Sequence, residues 1–431
     1  HTRKQDIIIN LNFCGMKNRF FHLLMIGTLA CWSPQPIFAQ TDVTETYLKN
    51  PSFENQFTDW ENSGMQSQTN TSFQLKEGNT YVERWTGQGG QVADCHVSQT
   101  LTTLKNGVYK LTAAAQNIQQ NSPATQSGAY VFAGNAQVAV GAANDYSLEF
   151  TVIEGQATIG FKTENATGNW VACDNFRLYA LNNDLAEIQE ELQRRIEKGQ
   201  ALVSEKMQKD VLKELNAALE AARQELNSTT DDNMAPVAIR LRQATEAAQT
   251  SIHAYQELQA AIDKSLEAYG DGTLNGAAEF HAVIQEAQAL AENLDANAED
   301  LATAVEKLGT ALLAFRIANP TGDTPAVVTD TRYARGSTMA FGRSTITGVP
   351  ETELVEHGFC WSTEPEPTIL DNRTTEYIEN NGHIYVLRNL TPSTIYYIRA
   401  YALTKGYAVG YGDAIKVITI PKGTITWSYN N

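Results

Sequence analysis

Tyr81, Glu83 and Trp85 occupy alternate positions of the run Tyr81-Val82-Glu83-Arg84-Trp85. In an extended strand, residues two apart share one face, so two flat rings would flank a carboxylate there. That trio suits a hydroxyl-rich ring: aromatic faces stack on its C–H surface while amides and carboxylates bond its hydroxyls. Gln116 and Tyr130 fall in neighbouring strand-like runs and complete a candidate carbohydrate-binding set. The alternative is that Tyr81 and Trp85 simply fill a core, where most aromatic surface goes. Other chemistries leave little trace. There is no Gly-x-Ser-x-Gly elbow, no Gly-rich phosphate loop and no His-Glu-x-x-His zinc motif. Paired carboxylates for glycoside hydrolysis could be drawn from the 49 acidic residues, but a β-domain of this size is more often a binder than a catalyst.

The elements that must position these residues follow from the chain's division. The sequence of 431 residues has room for several cores. It carries 32 basic and 49 acidic residues, a net charge of −17, which argues against nucleic acid or an anionic membrane as partner. Half of the acidic residues, 24, fall in residues 182–319 against 12 basic ones. Most of the acidity therefore describes a solvated helical surface.

Residues 41–181 alternate apolar and polar side chains over short runs such as Val108-Tyr109-Lys110-Leu111-Thr112, punctuated by Asn, Gly, Ser and Thr. That pattern predicts short antiparallel strands in a β-sandwich. Asn50-Pro51-Ser52-Phe53-Glu54 with Trp60, the run from Trp170 to Leu178, and Asn106-Gly107-Val108-Tyr109-Lys110-Leu111 resemble the terminal and central strands of the galactose-binding-like jelly roll of carbohydrate-binding modules. The resemblance implies a glycan ligand and a core place for Trp60 and Trp170. It also implies a structural calcium held by a glutamate of the first strand and an aspartate of the last, which match Glu54 and Asp174. Two hard carboxylate oxygens suit that cation, and backbone capping is the alternative use for them.

From Leu185 the composition shifts to Ala, Glu, Gln, Leu and Lys with apolar residues at helical spacing: Leu185, Ile188, Leu192 and Ile196, then Val211, Leu215, Leu219 and Ala222. Breaks at 227–233, 270–272 and 293–297 divide the segment into two three-helix units, 182–255 and 256–319. The second, with Leu301, Ala304, Leu308, Ala311 and Ala314-Phe315, resembles the FIVAR-type helical modules of bacterial surface proteins, which implies a spacer or weak binding module.

Asn319 to Pro325 reads as a linker, and strands resume after it. Leu390-Thr391-Pro392-Ser393-Thr394-Ile395-Tyr396-Tyr397-Ile398-Arg399-Ala400 resembles the E–F corner of fibronectin type III domains. The resemblance implies that Leu390 anchors the turn and that the Tyr396 hydroxyl ties the corner to the backbone. Gly358-Phe359-Cys360-Trp361 resembles strand C of that fold, with Trp361 in the core. The domain is expected over 320–420, and 421–431 reads as the start of a further, truncated domain resembling the lead-in to a zincin-like metallopeptidase.

At the other end, Met16-Lys17-Asn18-Arg19, the eleven residues Phe20–Ala30 and Ala39 before Gln40 fit a signal peptide over 16–40, with 1–15 upstream of it. Cys31 after Thr28-Leu29-Ala30 resembles a lipobox, an alternative lipid anchor. Eleven apolar residues are too few for a membrane-spanning helix, which needs about twenty. Outside this leader, Cys95, Cys173 and Cys360 allow at most one bridge, Cys95 with Cys173, or serve as small buried hydrophobes. Taken together, the sequence predicts a multidomain, exported or cell-surface chain: a jelly-roll β-sandwich, two helical bundles and a fibronectin type III sandwich. Its expected function is non-catalytic glycan binding with spacers. A surface adhesion protein and the front of a hydrolase are the competing readings.

Overall fold

The computed structural model describes residues 40–379, 383–423 and 428–430. The signal-peptide and Cys31 expectations lie outside the described residues. No described helix is long and apolar enough to cross a membrane.

The first unit is a two-sheet sandwich. Its elements are β1 (Thr41–Asp42), α1 (Thr44–Tyr47), β2 (Glu61–Ser63), β3 (Gln66–Gln68), β4 (Tyr81–Trp85), β5 (His96–Leu101), β6 (Gly107–Ile118), β7 (Ala129–Ala133), β8 (Ala136–Ala139), β9 (Asn144–Val152), β10 (Ala157–Thr163) and β11 (Trp170–Asn182). One sheet runs β3-β4-β11-β6-β9, with β1 also on β11, and the other runs β2-β5-β10-β7-β8. Every pairing is antiparallel. Alternation along the strands sends Leu111, Val131, Phe161 and Phe176 inward, and Phe53 and Trp60 close one end of that core. Trp60 packs 5.0 Å from Phe176, ring centre to ring centre, as the terminal-strand resemblance implies. Cys95 and Cys173 are unbridged and buried. Burial pushes both thiols up, so they act as small apolar side chains.

Five helices follow: α2 (Leu185–Gln200), α3 (Lys209–Glu225), α4 (Met234–Tyr269), α5 (Ala277–Ala291) and α6 (Ala298–Ala318). Asp184 caps α2 through the amide of Ala186 at 3.0 Å, and Asn297 caps α6 through that of Asp300 at 2.8 Å. The expected boundary at 255/256 is corrected, because it falls inside α4. Ala248, Ile252, Tyr255, Leu258 and Ile262 continue one buried helical stripe across it, and no Gly or Pro interrupts them. Two apolar clusters therefore share one 36-residue helix, the first with α2 and α3, the second with α5 and α6.

The sandwich and the first helical cluster are packed together. Ile153, just after β9, belongs to the helical core rather than to the sandwich core. Beside it the nearly buried Glu154 carboxylate pairs with Arg195 of α2 and Arg242 of α4, the latter at 3.0 Å.

Residues 326–418 form a second β-sandwich. The Tyr396 hydroxyl accepts from the Thr391 amide at 3.1 Å, and Leu390 is buried beneath the turn, so the expected corner is present. Trp361 is partly buried at the edge of the core rather than inside it. Cys360 lies in a separate cluster on the other face of that sheet, where Leu313 and Ile317 of α6 dock. The Arg316 guanidinium sits 4.7 Å above the Tyr407 ring at this junction. Ser428–Asn430, within the segment expected to open a new domain, pairs with Tyr333–Arg335 as an edge strand of this sandwich. An open sheet edge offers unpaired amides that an adjacent extended segment satisfies.

Candidate functional site

Strand β4 carries Tyr81, Glu83 and Trp85 on the outer face of the first sheet, as the alternation requires. Its neighbours are in register: Glu83 stands opposite Ala172 of β11, which stands opposite Gln116 of β6. Two positions along, Trp85 faces Trp170, and Trp170 faces Ile118. The tertiary structure thus brings Tyr81, Glu83, Trp85 and Gln116 onto one face. It does not bring Tyr130 there. Tyr130 lies on β7 opposite Lys162, whose ammonium is 5.8 Å from its ring, on the other sheet. The connection after β6 crosses the sandwich, so nearness in sequence fails to predict nearness on the face.

That face has a buried part and an exposed part. Phe73, from the connection between β3 and β4, lies over Tyr81 at 5.4 Å between ring centres. Together with Ala114, Trp170 and Ala172 they form a second apolar cluster outside the main core. Trp170, expected in the sandwich core, belongs to this outer cluster instead. Its position on β11 has the opposite parity to the inward Val171 and Cys173. Beneath the cover the Glu83 carboxylate is only 8% exposed. Its Oε2 accepts from Trp170 Nε1 at 2.6 Å and from the Tyr81 hydroxyl at 3.0 Å. The Tyr81 hydroxyl also reaches Asn70 Oδ1 at 2.8 Å. Burial first, then the Glu83 charge, pushes the Tyr81 phenol well above its ordinary value, so it stays a hydrogen-bond donor. Gln116 is 3% exposed and its Nε2 has no hydrogen-bond partner.

Trp85 is the exposed part, at 55%. Its indole Nε1 donates to Gln120 Oε1 at 2.8 Å. Gln120 is held in turn by Asn169: the Gln120 amide donates to Asn169 Oδ1 at 2.8 Å, and Asn169 Nδ2 donates to Gln120 Oε1 and to the Thr86 carbonyl, both at 3.2 Å. Phe73, Asn70, Gln120 and Asn169 were not singled out from the sequence. The run Asn117-Ile118-Gln119-Gln120-Asn121, rich in amides beside an expected strand end, is the signal that marks Gln120.

Glu54 and Asp174 converge on the segment 77–80. Glu54 Oε1 accepts from the amides of Asn79 and Thr80, both at 2.8 Å, and Asp174 Oδ2 accepts from that of Glu77 at 2.7 Å. Asp174 Oδ1 and Asn175 Oδ1 are buried without partners. Desolvation, with smaller contributions from the Glu77 and Glu54 charges, raises the Asp174 carboxyl to about 7. Among the described residues no group of three or more His, Cys, Asp or Glu side chains is placed to hold a metal. The two carboxylates and the orphaned oxygens nevertheless are the hard-oxygen donor type that calcium takes.

No protein-family model matches the chain, and no curated protein matches it. Solved structures resemble parts of it. The tailspike protein 4 enzymatically active domain of bacteriophage CBA120 is 18% identical over 31% of this chain and 21% of its own, with a TM-score of 0.23. This chain thus spans only about a fifth of that protein. A family 35 carbohydrate-binding module from Clostridium thermocellum is 12% identical over 29% of this chain and 93% of its own, with a TM-score of 0.21. The sixth fibronectin type III domain of a human fibronectin type III domain containing protein is 19% identical over 25% and 97%, with a TM-score of 0.18.

Proposed function

We propose that the first sandwich binds a glycan on the outer face around Trp85, and that the helices and second sandwich hold this binding unit at a distance. The observation that carries the reading is Trp85: a large aromatic ring kept at the surface while its only polar atom is satisfied by the protein. A ring that must fill a core loses water; this one keeps a flat apolar face available for C–H stacking. In this reading the chain is exported and non-catalytic. Screening the full chain on a glycan array, beside Trp85→Ala, tests it. Binding that is lost in the variant while its unfolding midpoint is unchanged supports the reading, and no retention of the folded wild type on any glycan refutes it.

The proposal includes a structural calcium held by Glu54, Asp174 and the Asn175 side-chain oxygen. Bound there, the ion would supply positive charge to a buried carboxylate that has none, and would tie the 77–80 segment to β11.

A further inference from the structure

The loops around Trp85 share a property that the binding reading does not use. The connection from Gln119 to Gly128 that follows β6 contains no Asp, Glu, Lys, Arg or His, and neither does the segment from Thr86 to Ala93 that follows β4. At the chain's overall charged fraction of 19%, about three charged residues would fall in these two loops. Instead they supply amides and hydroxyls. Gln119 joins the two loops, its Oε1 accepting from the Gly89 amide at 3.3 Å and its Nε2 donating to the Gly90 carbonyl at 3.1 Å. Asn169, wholly buried, ties the end of β4 to the end of β6 through Thr86 and Gln120. Its own backbone joins the same knot: the Asn169 amide donates to the Ile118 carbonyl at 3.0 Å and its carbonyl accepts from the Thr86 amide at 2.9 Å. The charges that flank the 86–93 loop have partners: the Asp94 carboxylate accepts from the Asn165 amide at 2.7 Å. Glu83 is spent on Trp170 and Tyr81, and the Arg84 guanidinium donates to the Gly64 carbonyl at 2.6 Å.

We infer that this amide knot makes Gln120 the positioning residue for Trp85, fixing the plane of its ring, and that the site takes a neutral sugar rather than a uronic acid or an amino sugar. The inference rests on the glycan reading and deepens it. The indole N–H has one acceptor, and that acceptor is locked by two bonds to a buried asparagine, so the ring is oriented before the ligand arrives. Preorganisation of this kind raises affinity by removing the ordering cost of the side chain. A charge-free rim recognises hydroxyls by amide donors and acceptors, and offers a carboxylate or ammonium group no counter-charge for its lost hydration.

The test titrates the full chain, by tryptophan fluorescence and calorimetry, with xylo-, manno- and gluco-hexasaccharides and with oligogalacturonate of the same length, at low and high NaCl. A neutral hexasaccharide is expected to bind with the same affinity at both salt concentrations, and oligogalacturonate not to bind. Gln120→Ala is expected to weaken binding about fivefold, the effect of one positioning hydrogen bond, and to move the Trp85 indole N–H resonance while the unfolding midpoint stays within a degree or two. Gln120→Glu, which keeps an acceptor for the indole, is expected to restore the resonance and most of the affinity. Preferential, salt-sensitive binding of oligogalacturonate overturns the neutral-ligand inference and leaves the glycan reading standing. Wild-type affinity in Gln120→Ala, with the resonance moved, overturns the positioning role. Failure of every saccharide overturns the glycan reading itself.

Discussion

The Trp170 indole N–H donates to Glu83 Oε2 at 2.6 Å across two paired strands, under a cover of apolar side chains. A nearly buried carboxylate here is held by two neutral donors, Trp170 and Tyr81, rather than by a cation. Removing the acceptor would strand the Trp170 donor in an apolar cluster, while the Tyr81 hydroxyl would keep Asn70 Oδ1. Glu83→Ala is therefore expected to destabilise the first sandwich by about 2 kcal/mol, the cost of one unsatisfied buried donor. Glu83→Gln, which keeps an acceptor, should cost about a third of that. Urea unfolding followed by tryptophan fluorescence measures both, and equal losses for the two variants would show that the hydrogen bonds are not what matters.

Ile153 and Glu154 join the first sandwich to the helices. Ile153→Asp places a charge in the α2–α4 core, and Glu154→Ala leaves Arg195 and Arg242 without their shared partner. Ile153→Asp is expected to cost about 3 kcal/mol and Glu154→Ala about 1 kcal/mol, because Arg195 keeps Glu191 and Arg242 keeps Glu246, and both should loosen the junction. Limited proteolysis around residue 183 should become faster in both variants, whereas unchanged cleavage would mean that the contact contributes nothing to the junction.

Calcium is expected to raise the unfolding midpoint of the first sandwich by several degrees at millimolar concentration, and a chelator to reverse it. Asp174→Asn should abolish the calcium response. A titration calorimetry signal that survives both Asp174→Asn and Glu54→Gln would place the ion elsewhere.

The buried Cys360 thiol is raised to about 11, chiefly by desolvation. For an acidic group that is harder to ionise when folded, stability is complete below the unfolded value near 9. It then falls as pH rises through the folded value, because the unfolded chain sheds the proton first. Between pH 9 and 11 the second sandwich should lose up to about 3 kcal/mol from this group. Cys360→Ala, though less stable at neutral pH, should show a shallower decline over that window in denaturant melts; parallel curves would refute the assignment.

Strand periodicity was enough to place Tyr81, Glu83 and Trp85 on one face, because the two-residue repeat of a strand is a local property. The corner at Leu390 and Tyr396 was equally legible, since that turn's geometry restricts the residue types it accepts. What local order cannot encode is which strands become neighbours. Gln116 joined the face and Tyr130 did not because the chain switches sheets between β6 and β7. Phe73 decided which part of the face is covered. The same limit applies to the helices: Ala- and Leu-rich spacing announced them, while the continuity of α4 through residue 255 depended on two cores sharing one buried stripe. Alternation along β4 is a local property, and it alone places Tyr81, Glu83 and Trp85 on a shared face. Only tertiary packing decided that Trp85 stays in solvent while Tyr81 and Glu83 go under cover, because burial depends on which distant segment lies on top.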